Sequence, residues 1–201
     1  MNAESLERLF HLSPQPKNAD RFCIPDKIAI NIKYRESAVL VPLVELQGQI
    51  HLFFTQRPMF LQHHSGQICF PGGKVKKEDN NIITTALRET EEEVGIVKKR
   101  IKVLGKLPIQ HTYTGFKINP VVGVINNLHN LNIDSNEVDN CFTVPLLDFA
   151  KINNIKPIRT SQKGIDYEVL AYKVNGKIIW GVTASIIHVL CSKLGLITNE
   201  Y

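Results

Sequence analysis

Several things are scarce in this chain, and each scarcity excludes a class of protein. Only four cysteines occur in 201 residues, at Cys23, Cys69, Cys141 and Cys191. None forms a C-x-x-C pair, so spacing suggests neither a zinc site nor a disulfide framework, and buried thiols in a reducing compartment are expected. No stretch approaches the roughly 20 apolar residues that span a bilayer. The opening MNAESLERLFHL lacks the basic end and apolar run of a secretory leader. A cytoplasmic protein with no membrane attachment is expected. Ser192-Lys193-Leu194 spells a peroxisomal tripeptide, but that address is read only at a C-terminus and the chain runs on to Tyr201, so it should be silent. A large excess of one charge is also missing. Lys and Arg number 24 against 19 Asp and Glu, a formal +5 that is scattered along the chain. That suits an anionic small molecule and not a nucleic-acid surface. Internal repeats and low-complexity tracts are absent. What remains, 43% apolar and 21% charged residues with 12 Gly and 10 Pro, is the composition of an ordinary globular domain of this length.

The apolar pattern divides this domain into elements. Residues 3 to 11 fit a short amphipathic helix through Leu6, Leu9 and Phe10, leading into a loop across Pro14, Pro16 and Pro25. Runs rich in Val, Leu and Phe at 37–46 and 50–57, with Gln47-Gly48 between them, predict a hairpin. A long loop is expected over 58–73, with Pro58, Gly66, Pro71, Gly72 and Gly73, and its length favours a functional role. Helical spacing follows at 82–94, stopped by Gly95. Strand-like runs come at 101–108, 117–125, 140–146 (ended by Pro145), 167–174 and 177–180, with an Asn175-Gly176 turn between the last two. A closing helix at 182–194 carries Val182, Ile186, Val189 and Leu190 at helical spacing. The irregular interleaving predicts an α/β protein with a mixed sheet covered by helices. The boundaries expected are a lead-in over 1–36, one domain over 37–195 and a tail over 196–201.

The helix at 82–94 carries the chemistry. At 100° per residue from Ile83, Ala86, Leu87, Thr90 and Val94 form a buried stripe, while Glu92, Glu89 and Glu93 fall at about 180°, 240° and 280°. Glu91 points elsewhere. Three like charges thus share one arc at the helix's negative end, where anionic side chains are disfavoured. A divalent cation such as Mg²⁺ or Mn²⁺, held by carboxylates with phosphate oxygens as further ligands, would relieve both penalties. The alternative is a solvated acidic face neutralised by Arg88 or by Lys98, Lys99 and Arg100. Both Glu92 and Glu93 are expected to be surface charges, so replacing either by Gln should leave the fold intact.

The preceding turn, Phe70-Pro71-Gly72-Gly73, allows close backbone approach and leaves carbonyl oxygens for a metal. Turn, intervening acid and Arg88-Glu89-x-x-Glu92-Glu93-x-Gly95-Ile96 together resemble the signature of the Nudix hydrolase family, G-x5-E-x7-R-E-U-x-E-E-x-G-U. Two departures stand out: Asp79 replaces the first Glu, and eight residues separate it from Arg88 instead of seven. Thr90 stands where an aliphatic residue is usual. The Asp and longer spacer are similar to those of the coenzyme A pyrophosphatase branch. So is the segment Phe53-Phe54-Thr55-Gln56-Arg57 leading through Gly66 to the Phe70–Gly73 turn, although Pro58 replaces a small residue and Gln62 an Arg. Tyr113-Thr114-Gly115-Phe116, Pro120–Gly123, Glu137-Val138, Val144–Leu146 and Ile179–Ala184 extend the likeness over about residues 37 to 190.

The resemblance implies a Nudix-type α/β/α sandwich, a mixed sheet flanked by helices. It also implies metal-dependent hydrolysis of coenzyme A or acyl-coenzyme A to 4′-phosphopantetheine (or its acyl form) and adenosine 3′,5′-bisphosphate, by a monomer or homodimer. It assigns Glu89, Glu92, Glu93 and the Gly73 carbonyl to Mg²⁺ or Mn²⁺, with Arg88 orienting the carboxylates through its planar fork. Glu89 or Glu137 would be the base, and Arg57, Gly66 and Gly72 would border the substrate. Hydrolysis of another nucleoside diphosphate such as ADP-ribose, and a non-catalytic nucleotide-binding module, are the alternatives. Arg57 suits a phosphate contact or a surface charge equally. His63, His64 and His111 are read as structural or exposed, and Trp180 and Phe116 as core fillers in preference to adenine platforms.

Overall fold

The computed structural model describes residues 1–16, 33–61, 64–112, 114–162 and 164–197. Cys23, Pro25, Gln62, His63 and Tyr113 lie outside them. The chain begins with α1 (Ala3–Leu12), capped by Asn2, whose side chain accepts from the Ser5 N–H at 2.9 Å. Next come β1 (Arg35–Leu46) and β2 (Gln49–Gln56), an antiparallel hairpin closed by Gln47 and Gly48. Both turn residues have positive φ, 51° and 74°, the twist that a two-residue hairpin turn requires.

The stretch expected as plain loop contributes two short strands, β3 (Ile68–Cys69) on β2 and β4 (Gly72–Lys74) on β1. α2 (Ile82–Val94) follows and ends at Gly95, whose φ of 72° is the left-handed C-cap a glycine adopts without strain. The sheet continues with β5 (Ile101–Lys106), β6 (Gln110–His111), β7 (Phe116–Ile125) and β8 (Asn140–Pro145). β1 and β7 run parallel from Arg35↔Phe116 to Val44↔Ile125, while the other pairs are antiparallel, giving the mixed sheet that the pattern predicts.

Two hairpins follow: β9 (Ile158–Gln162) with β10 (Ile165–Val169), and β11 (Ala171–Val174) with β12 (Lys177–Trp180). The strand expected over 167–174 is therefore broken at Leu170, whose side chain is buried in the core. Burying that side chain outweighs continuing a ladder. α3 (Val182–Lys193) closes the fold. Lys193 of the peroxisome-like tripeptide is 6% exposed and donates to the Ser13 carbonyl at 2.8 Å, so it anchors the segment after α1.

The period of two in β1 sorts the layers. Ala38, Leu40 and Val44 join Phe53, Val121, Ala86 and Val94 beneath α2, while Val41 and Leu43 join Leu52, Phe54, Phe10 and Leu190 beneath α1 and α3. The result is an α/β/α sandwich, in which each fully buried Leu or Phe contributes about 1.5–3 kcal/mol. Cys191 is buried as expected, but Cys69 and Cys141 are half-buried. They flank Thr55 on its two neighbouring strands, one of them at a cleft wall.

Candidate functional site

The site is assembled where β4 meets α2. Gly72 and Gly73 pair with Val39 and Ala38 of β1, which seats the turn against the sheet. A Cβ at Gly72 would run into the Ala38 carbonyl and the Val39 backbone. One at Gly73 would run into the Glu89 carboxylate. At Gly72 the strand thus passes too close to the sheet for any side chain, while at Gly73 it passes against the Glu89 carboxylate. The connection to α2 is a turn in which Asp79 accepts from the Lys76 N–H at 2.9 Å, and Asn81 then caps the helix through the Thr84 N–H at 2.9 Å. At the far end, the N–H groups of Asn132 and Asp134 donate to the Val94 and Glu93 carbonyls at 3.1 and 3.0 Å. These satisfy two of the carbonyls that a helix end leaves open and dock the 126–139 loop, bringing Glu137 to the site.

The three acids do not share one solvated face. Glu89 and Glu93 are 9% and 4% exposed, and only Glu92, with 49% of its side chain exposed, lies in solvent. The expectation that Glu93 is a surface charge is thus corrected. β4 and the docked loop cover an arc of α2 that an isolated helix would leave open. One Glu93 oxygen, Oε2, is buried without a hydrogen-bond partner. Burial, with repulsion from Glu137 and Glu89 added, pushes the Glu93 carboxyl up to about 8. The Gly72 backbone N–H and the Arg57 charge pull the other way.

Arg88 makes the densest contacts. Its Nε and Nη2 donate to the two oxygens of Asp79 at 2.9 and 2.8 Å, and Nη1 to Glu89 at 2.6 Å and Glu92 at 2.9 Å. Nη2 also reaches the Lys74 carbonyl at 3.2 Å. Asp79 further accepts from the Thr85 hydroxyl at 2.9 Å. The guanidinium bonds hold the Asp79 carboxyl well below the usual carboxylate range. One extra residue in the 74–81 turn therefore still delivers an acid to Arg88.

A cleft of about 590 Å³ opens over these groups, lined by Arg57, Lys74, Lys76, Glu89, Glu92 and Glu137 together with Gly72, Gly73 and Cys69. The Nε of Arg57 is buried and has no hydrogen-bond partner. Lys76, which the motif did not single out, bonds Glu92 at 3.2 Å. Its signal in the sequence was its place in the 74–81 turn, opposite the acids. Gly66 does not line the cleft: with φ 66° it turns the chain beneath Met59. Phe116 is half-buried at the cleft wall. Trp180, expected in the core, is 36% exposed and lines an adjoining pocket with His64 and His111. The end of a strand pointing into a hairpin-bounded hollow overrode the aromatic's preference for the core.

The donor set suits a hard divalent cation. Glu89, Glu92 and Glu137 line one cleft, Glu93 does not line it but has an oxygen buried without a partner, and the backbone of Gly73 lies against Glu89. With Arg88 and Lys76 bonded to Glu89 and Glu92, no three acidic, His or Cys groups among the described residues converge as a ready cage. Cation binding would have to draw Glu92 from Lys76, with both glutamates still held by Arg88.

The chain is similar to known proteins. Residues 33–162 match the family described as NUDIX domain. A protein of Klebsiella pneumoniae (strain 342) described as uncharacterized Nudix hydrolase NudL is 38% identical over 172 residues, covering 85% of this chain and 88% of its own. Its counterpart in Citrobacter koseri is 37% identical over 163 residues, covering 81% and 84%. Among solved structures, a C. elegans Ap4A hydrolase in a binary complex has a TM-score of 0.48 at 22% identity, covering 57% of this chain and 82% of that one.

Proposed function

This chain belongs to the Nudix hydrolase family, and from that premise we propose that it is a divalent-metal-dependent enzyme of the cytoplasm that splits the diphosphate bridge of coenzyme A or its thioesters. The products are 4′-phosphopantetheine, or its acyl form, and adenosine 3′,5′-bisphosphate. The observation that carries the reading is the pairing of Glu93, buried with one oxygen unpartnered, with Glu89 against the Gly72-Gly73 strand. A carboxylate kept dry without a partner is costly unless a cation completes it. The coenzyme A branch is supported by the Arg57…Gly66…Phe70–Gly73 segment and by Asp79, which meets Arg88 despite the longer spacer.

Glu89, Glu92, Glu93 and the Gly73 carbonyl would hold Mg²⁺ or Mn²⁺, which would offset phosphate charge and stabilise the charge added as phosphorus is attacked. Arg88 keeps Glu89 and Glu92 aligned from its anchor on Asp79. Arg57, Lys74 and Lys76 bind the diphosphate oxygens. A carboxylate takes the proton of the attacking water; the new P–O bond forms as the bridging P–O bond breaks, and the leaving phosphate carries away the electron pair. Glu89 is the first choice for that base. Glu137, exposed in the same cleft and near enough to Glu93 to raise its pKa, is the other.

The test is a substrate panel of coenzyme A, acetyl-coenzyme A, ADP-ribose and an oxidised nucleoside triphosphate, each with Mg²⁺ or Mn²⁺ and products resolved by chromatography. Fastest turnover of the coenzyme A compounds is expected. Faster turnover of ADP-ribose would overturn the substrate, and binding without turnover would make the protein a nucleotide-sensing module.

A further inference from the structure

Beside the charged cleft lies a smaller pocket of about 150 Å³ that the motifs do not account for. It shares His64, Gln67, Thr112, Thr114, Val182 and Thr183 with the cleft, so the two spaces are continuous. Their chemistry differs sharply. The cleft holds Arg57, two lysines and three glutamates, whereas no Asp, Glu, Lys or Arg among the described residues lines the pocket. Its walls are instead Trp180, Tyr167 and His111, with Ile68 and Val169.

The polar groups at its back are satisfied internally. Gln110 and Ser185 are 2% and 5% exposed. The Ser185 hydroxyl donates to Gln110 Oε1 at 2.7 Å, and Gln110 Nε2 donates to the Ile109 and Pro108 carbonyls at 3.2 and 3.3 Å. Such a wall presents shape and π-surface in place of a charge or a demanding donor. Trp180 keeps 36% of its surface open although its strand partner Ala171 is fully buried, and Gly181, with nothing within 4 Å of where a Cβ would stand, leaves space beside it.

We propose that this pocket receives the base of the nucleotide whose diphosphate lies in the charged cleft, with Trp180 as its stacking surface. A volume of about 150 Å³ is below what a whole small-molecule ligand occupies, so the pocket takes one group of a ligand that continues elsewhere. With no Lys or Arg in its lining the pocket offers the phosphates no fixed positive charge, which the cleft supplies, and three aromatic side chains select a flat ring over a flexible amide-bearing arm. The assignment rests on the diphosphate site proposed above, but not on coenzyme A being the substrate.

Trp180 is the single tryptophan, so its fluorescence reports this pocket without metal or turnover. Titration of the metal-free protein with adenosine 3′,5′-bisphosphate should quench it saturably, while 4′-phosphopantetheine at equal concentration should not. Quenching by 4′-phosphopantetheine alone, or by neither, overturns the proposal. Trp180→Leu should raise KM about tenfold and hold kcat within about twofold, and Trp180→Phe should restore most of the loss. An unchanged KM in Trp180→Leu also overturns it. The two proposals fail separately. Turnover of ADP-ribose but not coenzyme A with quenching intact sinks the substrate and supports the pocket, whereas turnover of coenzyme A without quenching does the reverse.

Discussion

The charged cleft and the neutral pocket are neighbours built in opposite ways. Apart from Glu137, the cleft's ionised groups fall between Arg57 and Glu92, and most belong to one strand-turn-helix unit. The pocket draws on four separated stretches around positions 64–68, 110–114, 160–169 and 180–185. Like charges repel unless a fixed partner or ion offsets them, so groups of this kind require tight local spacing. A neutral wall needs only shape, which distant segments can supply. Reaction chemistry is thus concentrated in one short unit, while recognition of the rest of the ligand is spread through the fold.

The most severe way to break this division is Glu93→Gln. Gln keeps the shape of Glu93 and has no charge to bury, so the fold should hold to within about 1 kcal/mol, while kcat should fall about 10²–10³-fold as electrostatic stabilisation at the reacting phosphate is lost. Urea unfolding and product chromatography measure the two. The metal-free titration of Trp180 with adenosine 3′,5′-bisphosphate should be unmoved; a shifted curve would show that cleft and pocket are not separable.

Next comes Asp79→Asn, which strikes the cleft's scaffold. Asp79 takes two charge-assisted bonds from Arg88 with 3% of its side chain exposed, and losing bonds of this kind should cost about 1.5–3 kcal/mol. The pH dependence has a definite sign. Because the folded carboxyl titrates well below its ordinary value, its contribution is present above about pH 4 and is lost as pH falls toward the folded value. In denaturant unfolding, the gap between wild type and variant should therefore stay constant at neutral and mildly acid pH and close only below about pH 4. A gap that closes between pH 5 and 7 would point to another group.

These differences track what the sequence made legible. α2 was bounded to the residue because its apolar stripe and the Gly95 stop both act within the segment, and the first hairpin because Gln47-Gly48 separates two β-branched and aromatic runs. The cluster of acids was visible too, but its burial was not. A helical wheel knows nothing of β4 or of the loop that docks on the Glu93 and Val94 carbonyls. β3, β4 and β6, of two or three residues each, are too short to show a period and exist only through pairing with distant strands. Trp180 was misplaced for the same reason: its environment is set by hairpins whose packing no local pattern encodes.

The mildest test contrasts two adjacent glycines. At Gly72 a methyl group would meet fixed backbone, 2.6 Å from the Val39 Cα, so Gly72→Ala must shift β4 off β1 at about 1–3 kcal/mol of overpacking. At Gly73 the methyl would meet only the far end of the Glu89 side chain, which can rotate away. Gly73→Ala should therefore lower stability by less than about 1 kcal/mol, yet turn the Glu89 carboxylate from its place beside Arg88. A misplaced metal or base carboxylate predicts a fall in kcat of about tenfold, with an unchanged Trp180 titration. Thermal unfolding of both variants beside their kcat values separates the effects. Were Gly73→Ala fully active, Glu89 would not need its position against β4, and the cation and base roles proposed for it would pass to Glu92, Glu93 and Glu137.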